Sequence, residues 1–244
     1  MGRAGPRLAG RQWDVTGRRV AKMDRYEAVL FDFDYTLADS SPGVVESVNW
    51  AFRTLGMPAA PEAAIRRTIG LSLHETFVAL TGGQQSPHGE IADQFADLFI
   101  RRADEVMADA TSLLPGAAET VLALVAADVT VGVVSTKFRR RIETVLIREG
   151  LREPFSVIIG GEDVPTHKPD PAALAAACAS LDAEPVACVY VGDSVVDGQA
   201  ANRAGMPFIG VLSGMTSRAA LAAWRPRAVL TRVHALPAWW ASET

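Results

Sequence analysis

Sulfur, imidazole and long apolar runs are all scarce in this chain. Of its 244 residues, two are cysteine, Cys178 and Cys188, and four are histidine. Two cysteines outside any Cys-x-x-Cys pair are too few for a disulfide framework. Both are expected as buried thiols, and a reducing, cytoplasmic setting follows. No apolar run reaches the ~18 residues a membrane span needs. The longest candidate, Val121 to Val134, is broken by Asp128 and Thr130. Charge of one sign is also lacking. A net charge of −4 gives no reason to expect a nucleic-acid partner. What remains is an ordinary globular composition, 49% hydrophobic and 21% charged. At roughly 100–200 residues per domain, the length suits one large domain or a core with a smaller companion, as a monomer or homodimer.

The first 22 residues differ from the rest. They hold Arg3, Arg7, Arg11, Arg18, Arg19 and Lys22 against Asp14, with no apolar stretch behind the charges. That pattern is expected as a disordered tail rather than a secretory signal. Tyr26 to Asp34 then reads as a buried strand. From there to about 112 only helical spacing is found, with Val44, Val48, Ala51, Phe52 and Leu55 on one face. Beyond Pro115 and Gly116, apolar strand runs alternate with helices. The strands are expected at Val129 to Ser135, Ser156 to Ile159, Ala187 to Val191, Phe208 to Val211 and Ala228 to Leu230. Such alternation predicts an α/β fold: a Rossmann-like, doubly wound parallel sheet covered on both faces. The helical block after strand one is too long for a loop and is expected as an inserted all-helical cap domain. The division expected is 23–40 with 115–244 as the catalytic core, and 41–114 as the cap. Its connections fall near Asp39 to Pro42 and Leu113 to Gly116.

Ligands of open parallel sheets sit outside the carboxyl ends of the strands. Here those ends carry the polar residues: Asp32, Asp34 and Thr36 after strand one, then Ser135, Thr136 and Lys137, then Gly192, Asp193 and Ser194 with Asp197 one turn on. Lys168 lies in the loop after the third strand. Side chains alternate along a strand, so Asp32 and Asp34 point the same way. Clustered carboxylates repel unless a cation joins them. Oxygen ligands without His or Cys suit a hard cation, Mg²⁺ where phosphate is also bound. A carboxylate can attack phosphorus, a neighbouring acid can move the protons, and a lysine and hydroxyl can hold the remaining phosphoryl oxygens.

These four clusters, in this order, resemble the haloacid dehalogenase superfamily over about residues 26–232. The nearest subgroup looks like the phosphoglycolate phosphatases and their pyrophosphatase relatives with a helical cap. The resemblance implies a Mg²⁺-dependent phosphatase acting on a small phosphorylated metabolite through an aspartyl-phosphate. It implies Asp32 as nucleophile, Asp34 as acid/base, and Ser135 and Lys168 as phosphate-holding residues. It implies Mg²⁺ on the Asp32 side chain, the Asp34 backbone carbonyl and Asp193, with Thr36, Ser194 and Asp197 in support. Tyr35 stands where this family usually has Gly, and is expected at ordinary backbone angles with its ring toward the cap. Tyr35, Arg67, His74, Thr136 and Lys137 are the candidate substrate contacts. Ser72 and Glu75 can form a capping box at a helix start beside Gly70. Arg139, Arg140 and Arg141 read most simply as a solvated helix face.

Other readings remain open on the residues alone. A pyrophosphatase, a sugar-phosphate phosphatase or a phosphomutase of the same fold would keep the motifs. A receiver-like or regulatory phosphate-binding module would also use Asp, hydroxyl, Lys and Mg²⁺, but has no helical insertion after strand one.

Overall fold

The structure, a computed structural model, describes residues 26–83 and 89–243; the expected 1–22 tail lies outside them. Strand β1 (Ala28–Phe31) is completely buried, and its side chains alternate between two cores. Val29 and Phe31 join one apolar cluster, while Ala28 and Leu30 join the other. A strand apolar on both faces is the requirement of a central position in a parallel sheet. β1 pairs in parallel with β4 (Thr130–Val134) on one side and β6 (Cys188–Gly192) on the other. Adding β5 (Phe155–Ile159), β7 (Phe208–Val211) and β8 (Ala228–Leu230), the sheet runs β5-β4-β1-β6-β7-β8. The chain therefore winds outward from β1 in one direction and then returns to wind the other way. The order reverses between β1 and β6, and a crevice opens there at the strand ends. This is the doubly wound α/β sheet expected from the alternation.

Helices α5 (Ala117–Ala126), α6 (Arg139–Arg148), α7 (Ala172–Leu181), α8 (Val195–Ala204) and α9 (Arg218–Ala222) connect the strands. A further helix, α10 (Leu236–Ser242), is not foreseen from the apolar pattern. It buries Leu236 and Trp240 against the first core. Cys178 and Cys188 are free, buried thiols 3.9 Å apart, as expected of them.

Between β1 and β4 stand α1 (Ser41–Thr54), α2 (Glu62–Arg66), α3 (Leu73–Leu80) and α4 (Glu90–Val106). They enclose a third cluster built on Phe52, Phe77, Phe95 and Phe99. Ser72 caps α3 through the box anticipated with Glu75. The two connections to this layer lie side by side, because two short strands not foreseen from the pattern, β2 (Ala38–Asp39) and β3 (Ser112–Leu113), pair antiparallel. Arg141 departs from the expected solvated face. It is 7% exposed and bonds Asp104 at 2.8 Å and the Ile100 carbonyl, joining α6 to α4.

Candidate active site

The crevice between β1 and β6 receives one acid from each strand end. Asp32 follows β1, Asp193 follows β6, and Asp197 lies in the first turn of α8. Carboxylate oxygens of these three buried residues lie within 4.8 Å of one another. Lys168 reaches in from the loop after β5. Its Nζ lies 2.7 Å from Asp32 Oδ1, 2.6 Å from Asp197 Oδ1 and 3.0 Å from Tyr190 Oη. All three ammonium protons are thereby directed. Burial pulls the Lys168 ammonium down, but Asp197 and then Asp32 outweigh it and leave its pKa well above the ordinary value.

One lysine does not balance three buried acids. Burial, opposed by Lys168 and assisted by Asp197, raises the Asp32 carboxyl from 3.8 to about 6. Burial, then Asp197 and Asp32, push Asp193 well above the usual carboxylate range. The second oxygen of Asp197 accepts from the Ser194 backbone N–H at 3.0 Å, and Ser194 Oγ accepts from the Asp197 N–H. This capping box fixes Asp197 as a bridge between α8 and Lys168. Space around the acids is also reserved. A Cβ on Gly214 would fall 1.7 Å from Asp193 Oδ2, and one on Gly192 about 2.5 Å from the Asp197 carboxyl carbon. Buried hard oxygen donors with uncompensated negative charge are a donor set that fits Mg²⁺.

Asp34 lies apart from that triad. Its carboxylate meets Lys137 Nζ at 3.2 and 3.3 Å and accepts from Ser40 Oγ, while Lys137 also bonds Ser40 at 2.9 Å. Ser135 is buried, and its Oγ accepts from the Lys137 N–H. Thr36 is fully buried, with a hydroxyl that has no hydrogen-bond partner among the described residues. Tyr35 contradicts the expectation of ordinary backbone angles, since its φ is +60°. The chain must reverse tightly after β1, and hydrogen bonds from Tyr35 N to Ala38 O and from Leu37 N to Phe33 O close that turn. The left-handed conformation costs about 1–2 kcal/mol for a residue with a Cβ. The buried Tyr35 ring, with its hydroxyl 3.5 Å from Arg66 of α2, helps to offset it.

The loop 69–71 of the helical layer descends onto the sheet edge, where Thr136 Oγ1 contacts the Gly70 carbonyl at 3.4 Å. It separates two clefts. The smaller is lined by Tyr35, Arg66, Arg67, Asp193 and Ser194. The larger is lined by Asp34, His74, Thr136, Lys137 and His167. Arg67 and His74 are thus not brought together, and His74 Nε2 sits 2.9 Å from Asp93. Ser40, Tyr190 and Gly214 were absent from the sequence candidates. Only Tyr190, an aromatic hydroxyl within an otherwise aliphatic strand, carried a local signal.

A profile of haloacid dehalogenase-like hydrolases matches residues 29–211. A phosphoglycolate phosphatase of Yersinia pseudotuberculosis is 32% identical over 212 residues, 86% of this chain and 91% of its own. One from Psychrobacter arcticus is 34% identical over 202 residues, 79% of this chain and 85% of its own. Among known structures, a protein of Bacteroides fragilis assigned to the haloacid dehalogenase-like hydrolases superposes with a TM-score of 0.82 at 38% identity, covering 87% of this chain and all of that one. With its site assembled at the switch point of a doubly wound sheet, this chain belongs to the haloacid dehalogenase-like hydrolase family and is an enzyme of the phosphatase kind.

Proposed function

We propose that the enzyme hydrolyses a phosphomonoester of a small metabolite, with Asp32 as the nucleophile. The observation that carries this reading is the buried Asp32–Asp193–Asp197 triad, in which a single lysine bonds Asp32 and Asp197. Lys168 orients the Asp32 carboxylate and keeps one oxygen engaged, so the other is the attacking atom. Attack forms an oxygen–phosphorus bond and breaks the bond to the leaving alcohol. Asp34 supplies the proton that alcohol needs, then takes one from the water that hydrolyses the aspartyl-phosphate. Water attack at phosphorus restores Asp32 and releases inorganic phosphate. Ser135 Oγ at the end of β4 is suited to one non-bridging phosphoryl oxygen, and Lys168 Nζ reaches another by giving up one of its present contacts to Asp32, Asp197 or Tyr190.

Asp32, the Asp34 backbone carbonyl and Asp193 would hold Mg²⁺, with Asp197 and Ser194 behind them. When bound, the ion offsets charge on the phosphoryl oxygens. The larger cleft between Asp34 and the helical layer supports reading residues 41–114 as a cap over the leaving group. Free buried thiols suit a cytoplasmic enzyme. Phosphoglycolate, on which the curated relatives are named, is one substrate to test.

The test is release of phosphate from a generic aryl phosphate with and without Mg²⁺, and with Asp32→Asn. Turnover that survives a chelator, or that persists in Asp32→Asn at more than a small fraction of wild type, would refute the mechanism.

A further inference from the structure

The cleft beside Asp34 has a volume of about 530 Å³. That lies within the roughly 300–1,000 Å³ range of sites that enclose drug-sized ligands. A two-carbon acid would fill a corner of it. Because Asp34 is the acid/base, the space next to it is where the leaving alcohol must sit. Most of its wall is apolar: Val44, Leu73, Ala96, Phe99, Ile100 and Met107 all line it.

The charges on the wall are already matched. Lys137 lies 3.2 Å from Asp34. Arg141 lies 2.8 Å from Asp104 and also bonds the Ile100 carbonyl. His74 lies 2.9 Å from Asp93. Among the described residues of this wall, every lysine and arginine has an acidic partner. A carboxylate placed here would lose its hydration and gain no free cation in exchange.

We infer that the substrate is the phosphomonoester of an uncharged alcohol with a sizeable apolar or aromatic body. That body packs in this cleft. The inference rests on the phosphatase reading above and adds the class of leaving group to it.

The experiment is a kcat/KM series with Mg²⁺ over methyl, butyl, hexyl and 1-naphthyl phosphate, alongside 2-phosphoglycolate and p-nitrophenyl phosphate. Each methylene that enters the cleft should raise kcat/KM about threefold to fourfold until the space is filled. Hexyl and naphthyl phosphate should then exceed phosphoglycolate. Ala96→Phe narrows the cleft from α4, so it should lower kcat/KM for hexyl and naphthyl phosphate at least about tenfold more than for methyl phosphate. A flat alkyl series overturns the inference, as does a preference for phosphoglycolate or an equal loss on all esters in a folded Ala96→Phe enzyme. If that variant does not fold, the wild-type series decides by itself. Failure to hydrolyse any ester, p-nitrophenyl phosphate included, would instead remove the phosphatase reading and this inference with it.

Discussion

Asp32 should cost the metal-free protein stability at neutral pH, and Asp32→Asn should recover it. The carboxyl is 4% exposed, and burial, against the pull of Lys168, raises it from 3.8 to about 6. An acid with a higher pKa folded than unfolded binds its proton more tightly in the folded state. Its contribution is therefore most favourable below about pH 4 and is lost as pH rises through about 6. The distance from 3.8 to about 6, at about 1.4 kcal/mol per pH unit, is about 3 kcal/mol. Asparagine has nearly the same shape and no charge at any pH. The loss of its ion pair with Lys168 is already contained in that net figure, since Lys168 is one of the groups acting on Asp32. In urea with a chelator at pH 7.5, Asp32→Asn should unfold later than wild type. The gap should be up to about 3 kcal/mol, or about 1 M in midpoint for a slope of ~3 kcal/mol/M. At pH 4.5 the gap should shrink to about 1 kcal/mol. Millimolar Mg²⁺ should then raise the wild-type midpoint more than that of the variant. A variant no more stable than wild type at pH 7.5, or a gap that does not shrink on acidification, would refute the reasoning.

Asp34→Asn keeps Asp32, the proposed nucleophile, and should lower turnover of alkyl phosphates by roughly 10²–10⁴, with a smaller loss on aryl phosphates whose leaving groups need no proton. Equal losses across a leaving-group series would count against the acid role. Tyr190→Phe removes the hydroxyl that bonds Lys168 and donates to the Val134 carbonyl at 2.8 Å. It should destabilise the fold by about 1–3 kcal/mol in urea and lower kcat as Lys168 loses a contact; unchanged kcat would show that Lys168 is held adequately by its acids. Gly214→Ala places a Cβ against Asp193. It should weaken activation by Mg²⁺ about 10–100-fold in a titration of activity against metal, with the circular dichroism spectrum unchanged. An unaltered metal titration would show that Asp193 tolerates displacement.

Much of this enzyme was determined by local pattern alone. Apolar runs ending in acids or hydroxyls marked the strands, their buried faces and the edge where chemistry collects. The uninterrupted helical spacing from Val44 onward marked the insert. These features are legible because burial on both faces of a strand, or on one stripe of a helix, imposes a composition on neighbours in sequence. Pairing across the chain is another matter. Lys168 meets Asp32 across 136 residues, and Lys137 meets Asp34 across 103. Nothing local distinguishes the lysine that meets Asp32 from the one that meets Asp34. Strand order decided it, by bringing the loop after β5 over β1. Packing decided the rest. The turn after β1 forced Tyr35 into a left-handed conformation, and the docking of α4 on α6 buried Arg141. The loop 69–71 put Arg67 and His74 in different clefts. A side chain's partner depends on which layers face each other, and that is settled only when the sheet and the helices above it are closed together.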